Sequence, residues 1–130
     1  MQYLLDTHVL LWWYLGDKSL SARYHSILAN DPQQPVAVSA ISLWEIAKLV
    51  ERGKLRLSLS LDECLADVES NPSIEVLPIS ARVAIESTRL GSSFPRDPAD
   101  QLIAASARCH GLVLLTGDSR VRDSGVVAVL

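Results

Sequence analysis

The chain has 130 residues, 48% of them apolar and 21% charged, with a formal net charge of −3. This is the composition of a folded domain, not of a disordered chain, and its acidic balance excludes a protein that coats nucleic acid through a broadly basic surface. The longest apolar run, Val9–Leu15, is far too short to cross a bilayer.

The N-terminal stretch MQYLLDTHVLLWWYL has no basic lead and carries Asp6 among its apolar residues, so no signal peptide is expected and the cytoplasm is the default location. Tyr3-Leu4-Leu5 reads as a first strand, followed by a helix from about His8 to Leu15. A second helix covers 22–29 and ends near Asn30-Asp31-Pro32. Val36-Ala37-Val38 reads as the second strand. Ser39 or Ser42 caps the next helix, which stops at Gly53, where glycine accepts the left-handed C-terminal conformation. LDECLADVES predicts a further helix ended by Asn71-Pro72, and Ile74–Ile79 a third strand that Pro78 must terminate or confine to an edge. A helix opens at Ser80 and runs to Gly91. The loop around Phe94-Pro95 leads to a helix from Pro98 to about His110, closed by Gly111. Leu112–Thr116 is the most continuous apolar strand and Val126–Val129 a last one. Cys64 and Cys109 stand far apart with no C-x-x-C, so neither a disulfide framework nor a zinc site is suggested. Short strands separated by helices indicate one α/β domain over residues 1–130, with a parallel sheet covered on both faces.

In such a sheet the ligand crevice lies beyond the carboxyl ends of the strands, where the strand order reverses. Asp6 follows the first strand, Glu45 lies in the first turns of the helix after the second, and Asp118 follows the Leu112–Thr116 strand by two residues. Asp97 and Asp100 open a helix that feeds a strand, so only the long preceding loop can bring them to the same edge. Carboxylates gathered in one crevice repel one another unless a cation neutralises them. Oxygen ligands without Cys or His favour Mg²⁺ or Mn²⁺ over zinc, and such a site suits hydrolysis of a phosphodiester.

Each acid also has a purely structural reading. Asp97 is a good N-cap, Pro98 suits the first helical position, and Asp100 then complements the helix dipole; Asp118 in T-G-D-S builds a turn. Asp6 is harder to explain that way, because an acid among apolar neighbours at a strand end is costly unless paired.

Four blocks, LLDTHVLLWW, SAISLWEIAKLVERGKL, RDPADQLIAASA and LLTGD, resemble in order and spacing the PIN domain, specifically VapC-like toxins of type II toxin–antitoxin systems. The resemblance runs from Met1 to the C-terminus. It implies a three-layer α/β/α fold with a central, mostly parallel sheet of four to five strands, and a Mg²⁺- or Mn²⁺-dependent endoribonuclease that leaves 5′-phosphate and 3′-hydroxyl ends. Carried over by motif, its catalytic acids are Asp6, Glu45, Asp100 and Asp118. Asp97 belongs to the subgroup's pattern and binds metal directly, through water, or caps the helix. Asp6 and Asp100 are the first choices for direct ligands, while Glu45 and Asp118 complete the site or orient the attacking water. Thr7 and Thr116 offer hydroxyls beside it. The subgroup often has an aromatic and a basic residue where this chain has Ala99 and Gln101, a departure that bears on substrate contacts. The implied partners are RNA, a VapB-like antitoxin and a second toxin copy.

Among the arginines, Arg96 and Arg120 flank the motifs and are the better candidates for phosphate contacts than Arg89, Arg108 and Arg122. His8 reads as packing, not as a general base, and no pattern supports a serine nucleophile. Neighbouring helical positions differ by about 100°, so Trp12 and Trp13 are not expected to face one core. An antitoxin groove is expected near Trp12, Trp13, Trp44, Leu49 and Val50. Two other functions compete. A catalytically silent RNA- or partner-binding domain would be favoured by a missing acid, and all are present. A receiver-like phosphoryl-transfer domain would want a second acid beside Asp6 and a late lysine, and the last lysine is Lys54.

Overall fold

Alternation along the strands sets the layers. Leu4 and Leu5 in β1 (Tyr3–Leu5) are both fully buried but point to opposite faces, as the two-residue strand period requires. Leu4, Ala37 and Leu114 belong to one core cluster, with Leu77, Ile103, Ala104 and Val121. Leu5, Val38 and Leu115 belong to another, with Val9, Leu10, Tyr24 and Ile46. A slip of one residue would exchange the two sets, so burial on both faces fixes the register.

The computed structural model describes residues 1–29 and 34–130; the expected end of the second helix at Asn30-Asp31-Pro32 lies outside them. After β1 come α1 (Thr7–Leu15), α2 (Ala22–Ala29), β2 (Val36–Ser39), α3 (Ala40–Glu51), α4 (Leu61–Ser70), β3 (Ile74–Leu77), α5 (Ala81–Ser87), α6 (Pro98–His110), β4 (Val113–Leu115) and α7 (Ser119–Asp123). The four strands form one parallel sheet in the order β3-β2-β1-β4. Helices α6 and α7 contribute Ile103 and Val121 to one face, with α5 packed against α6, and α1, α2 and α3 cover the other. This is the expected three-layer α/β/α arrangement.

The sheet grows from β1 toward β2 and β3 on one side and toward β4 on the other. Its switch point therefore lies between the carboxyl ends of β1 and β4, which carry Asp6 and Thr116.

Several boundaries differ from the sequence expectation. The last strand, Val126–Val129, is reduced to a single parallel bridge between Leu114 and Val129. Two backbone bonds hold it, Leu114 N–H to Ala128 at 2.8 Å and Leu130 N–H to Leu114 at 3.3 Å. Helix α5 ends at Ser87, and Thr88 and Arg89 donate three residues back to Ile85 and Glu86, so the chain leaves through a tighter turn before Gly91. Ser39 caps α3 by accepting from the Ile41 N–H at 3.2 Å; Ser42 sits inside that helix and has another role below. Gly53 and Gly111 take the left-handed conformation expected of them. Cys64 and Cys109 are both free. Among the described residues, no helix is long and apolar enough to cross a membrane.

Candidate active site

Three of the five acids are N-caps, each placed by the turn that leaves its strand or loop. The Asp6 carboxylate accepts from the Val9 N–H at 2.8 Å and opens α1 at Thr7. Asp97 accepts from the Ala99 and Asp100 N–H groups at 2.9 and 3.2 Å, with Pro98 at the first helical position of α6. Asp118 accepts from the Arg120 N–H at 2.9 Å and opens α7, a helix that the sequence reading treated as a turn. A cap of this kind is worth about 1 kcal/mol, and it also orients an ionised carboxylate at the positive end of a helix.

Hydroxyl groups hold two of the acids from behind. Thr116 is buried, donates to Asp6, and accepts from the Asp118 N–H at 3.0 Å. One hydroxyl thus ties the ends of β1 and β4 together across the switch point. Thr7, also buried, donates to Glu45 and lies 2.8 Å from the Ser42 hydroxyl. A threonine has a single hydroxyl proton, so Ser42 donates to Thr7 and the chain runs Ser42→Thr7→Glu45. Thr7 and Thr116, expected to offer hydroxyls beside the site, both donate them to carboxylates and orient them.

Asp100 differs from the rest. Burial, then the charges of Asp97, Glu45, Asp118 and Asp6, push its pKa up to about 6, and no hydrogen bond opposes the rise. Burial also raises Asp6 and Glu45, against the hydrogen bonds from Thr116 and Thr7 respectively. Asp118 moves the other way, held below the usual carboxylate range chiefly by its hydrogen bond from Arg120. The Arg120 guanidinium lies 3.0 Å from the carboxylate. All five acids of the sequence reading therefore act on one electrostatic centre, including Asp97 and Asp100, which the spacing alone did not bring there. Asp97 caps, and Asp100 presents its carboxylate three residues on.

Among the described residues, no three Asp, Glu, His or Cys side chains converge, as they stand, on a point that one ion would fill. Asp6, Glu45, Asp97 and Asp118 are each turned to an internal donor. The donor set itself fits a hard divalent cation. It consists of carboxylate oxygens, one of them, on Asp100, without a donor of its own.

His8 is exposed and its ring stands 6.1 Å from that of Trp12, tilted by 52°, beside Asp6 and Asp118 in one cleft. A second cleft on the other flank holds Glu45 and Asp97 with Trp44 and Lys48. A family model for the PIN domain matches residues 3–126 of the chain. The chain belongs to the PIN-domain family. It is 36% identical over 120 residues, 92% of this chain and 89% of the relative, to Ribonuclease VapC22 of Mycobacterium tuberculosis (strain ATCC 25618 / H37Rv). Among solved structures, FitAcB from Neisseria gonorrhoeae matches with a TM-score of 0.72 at 24% identity, covering 99% of this chain and 96% of that one. A toxin–antitoxin complex from Klebsiella pneumoniae matches with a TM-score of 0.70 at 20% identity, again covering 99% and 96%. Those two likenesses are likenesses of fold.

Other groups of this PIN domain take roles that the sequence did not disclose. The buried Tyr24 hydroxyl meets both backbone groups of Thr116, at 3.2 Å to the carbonyl and 3.3 Å from the N–H, and donates to the Leu130 carbonyl at 2.7 Å. Arg122 donates to the Thr116 and Leu130 carbonyls at 3.0 Å each. Arg122 thus anchors the turn that carries Asp118. Arg108 is engaged as well, 2.9 Å from Glu86 and 3.2 Å from the Val126 carbonyl. Arg96 is exposed just before α6. Gly117 is required by close approach: a Cβ there would stand 2.7 Å from the Trp12 ring. In the sequence Tyr24 stands out only as the one Tyr, Phe or Trp of α2.

The three tryptophans do not line one groove with Leu49 and Val50. Trp12 and Trp13 both pack on the cluster around Leu5 and Leu10, contrary to expectation, but from different sides. Trp12 faces the cleft of Asp6 and Asp118, whereas Trp13 lines a groove of about 550 Å³ with Tyr14, Val68 and Pro72. Trp44 lies on the site's other flank.

Proposed function

We propose that this PIN domain, one unit over residues 1–130, is the toxin of a toxin–antitoxin module and a Mg²⁺- or Mn²⁺-dependent endoribonuclease of the cytoplasm. The observation that carries the reading is Asp100: a half-buried carboxylate with no donor of its own, among four other acids that raise its pKa. Neutralisation by a divalent cation is the simplest relief for such an arrangement. The named Ribonuclease VapC22 relative and the toxin–antitoxin fold neighbour support it.

Asp6 and Asp100 would hold the cation, with Asp118, Glu45 and Asp97 completing its surroundings. When bound, such an ion supplies Lewis acidity toward water and toward a phosphoryl oxygen. The chain's own groups do the rest. Thr116 and the Val9 N–H fix the Asp6 carboxylate, and the Ser42–Thr7 relay fixes Glu45. Glu45, whose pKa burial raises, would orient a water and take its proton on a carboxylate oxygen. Arg120 neutralises Asp118 and becomes available to a phosphate if that acid turns to the cation. A VapB-like antitoxin is the partner, and the groove beside Trp13, lined also by Val68, Pro72 and Asp67, would offer it a surface away from the five acids of the site.

The test is cleavage of RNA by the intact protein with Mg²⁺ or Mn²⁺, with EDTA, and in the Asp6→Asn and Asp100→Asn variants. Cleavage is expected only with the ion and the native acids. Undiminished cleavage in EDTA, or in both variants, would sink the metal assignment. RNA binding without turnover under every condition would make this a silent binding domain.

A further inference from the structure

The indole of Trp44 is 53% exposed on α3, immediately before Glu45. Exposed tryptophans are rare because the ring gains so much from burial, and this one stands in a cleft that also contains Glu45 and Asp97. Lys48 and Arg52 follow at four-residue steps, so the three side chains share one face of the helix and its C-cap, about 6 Å apart along the axis. The Lys48 amine lies 5.9 Å from the Trp44 ring centroid. Its ion pair with Glu51, at 3.0 Å, is exposed on both sides and exchanges readily for another anion.

We propose that this face of α3 is the track by which single-stranded RNA enters or leaves the acidic centre, with a nucleobase stacked on Trp44 and adjacent phosphates held by Lys48 and Arg52. The proposal rests on the ribonuclease reading and names the substrate's contacts. The argument is one of charge and shape. A polyanion approaching five carboxylates is repelled, and in a chain of net charge −3 only local cations offset that. Here they adjoin the acids. A basic peptide in this cleft would meet Lys48 and Arg52, and the carboxylates of an acidic one offer no π-face to the Trp44 ring. A single strand of nucleic acid alternates π-faces with phosphates, which matches an exposed ring followed by two cations, and stacking on an aromatic ring tolerates any base.

The experiment measures binding of a labelled single-stranded oligoribonucleotide to the intact protein in EDTA, and its cleavage with Mg²⁺. Trp44→Ala is expected to weaken binding about ten-fold and to raise KM by a similar factor while leaving kcat within about two-fold. Trp44→Phe, which keeps a stacking face, recovers most of the loss. Lys48→Ala with Arg52→Ala lowers the dependence of log K on log salt by about 1.4, for two phosphate contacts on a single strand. Because Trp44 is exposed, melting temperatures report that the variants remain folded. Unchanged binding and KM in active Trp44→Ala would overturn the proposal and leave the ribonuclease intact, as would a loss confined to kcat. Weakened binding of purified antitoxin with RNA binding unchanged would make the face a protein-docking surface instead. Failure of the wild-type protein to bind or cut any single-stranded RNA would sink the ribonuclease reading itself.

Discussion

Helices α6 and α7 begin alike and differ in what answers their acids. Each is N-capped by an aspartate, Asp97 in one and Asp118 in the other, and each presents that end to the switch-point edge of the sheet. At α7 the cap is met by Arg120, and the carboxylate sits below its usual range. At α6, among the described residues, the cap forms no ion pair, a second acid follows at Asp100, and its pKa is pushed up to about 6. The same local motif is thus an ion-paired helix end in one place and a pair of acids without an ion pair in the other. What separates them is the pairing of charge, not the capping geometry.

The largest way to break that contrast is Asp100→Asn. Loss of several kcal/mol of charge stabilisation predicts a fall in RNA cleavage of about a thousand-fold or more, measured as kcat/KM with Mg²⁺. Next comes Thr116→Val, which leaves buried Asp6 without its hydroxyl donor and frees the Asp118 N–H. Destabilisation of about 2 kcal/mol is expected in urea unfolding. Asp97→Ala removes only the cap, so a stability loss of about 1 kcal/mol should accompany a smaller activity loss than that of Asp100→Asn. An equal activity loss would make Asp97 a ligand and erase the division of labour.

The metal-free protein supplies a test of opposite sign. Asp100 is raised from 3.8 to about 6, so between those pH values the folded state binds more protons than the unfolded one. Stability in EDTA should therefore fall as pH rises from about 4 to about 6. Asp100→Asn should flatten that slope and stabilise the apo protein above pH 6 by about 1 kcal/mol after allowance for solvent screening. A slope unchanged in the variant would remove Asp100 as its source. The smallest effect belongs to Arg120→Ala: its exposed pair should leave the unfolding midpoint essentially unmoved, although the Asp118 pKa should rise toward its ordinary value by NMR titration.

Much of the scaffold was legible in the chain because the controlling signals are local. Gly53 and Gly111 ended their helices, Pro78 stopped β3, and Pro98 after Asp97 opened α6. The failures have equally physical causes. Val126–Val129 is apolar enough to be a strand, but α7 directs the chain so that only Val129 reaches Leu114. Helix α7 was missed because five residues carry too little periodicity to register. The part Thr7 and Thr116 play in holding carboxylates was not legible, because sequence does not reveal which acceptor takes a hydroxyl proton.

By itself the sequence determined the alternation of Leu4 and Leu5 that dictates a two-faced sheet, the family motifs, and the identity of five acids, since periodicity and residue chemistry are written residue by residue. Only the tertiary structure decided which acid stands unanswered. Asp6, Glu45, Asp97 and Asp118 come within electrostatic reach of Asp100 because the strand order reverses between β1 and β4 and the loop before α6 returns to that edge. Charge interaction depends on distance and burial, and neither is a property of spacing along the chain.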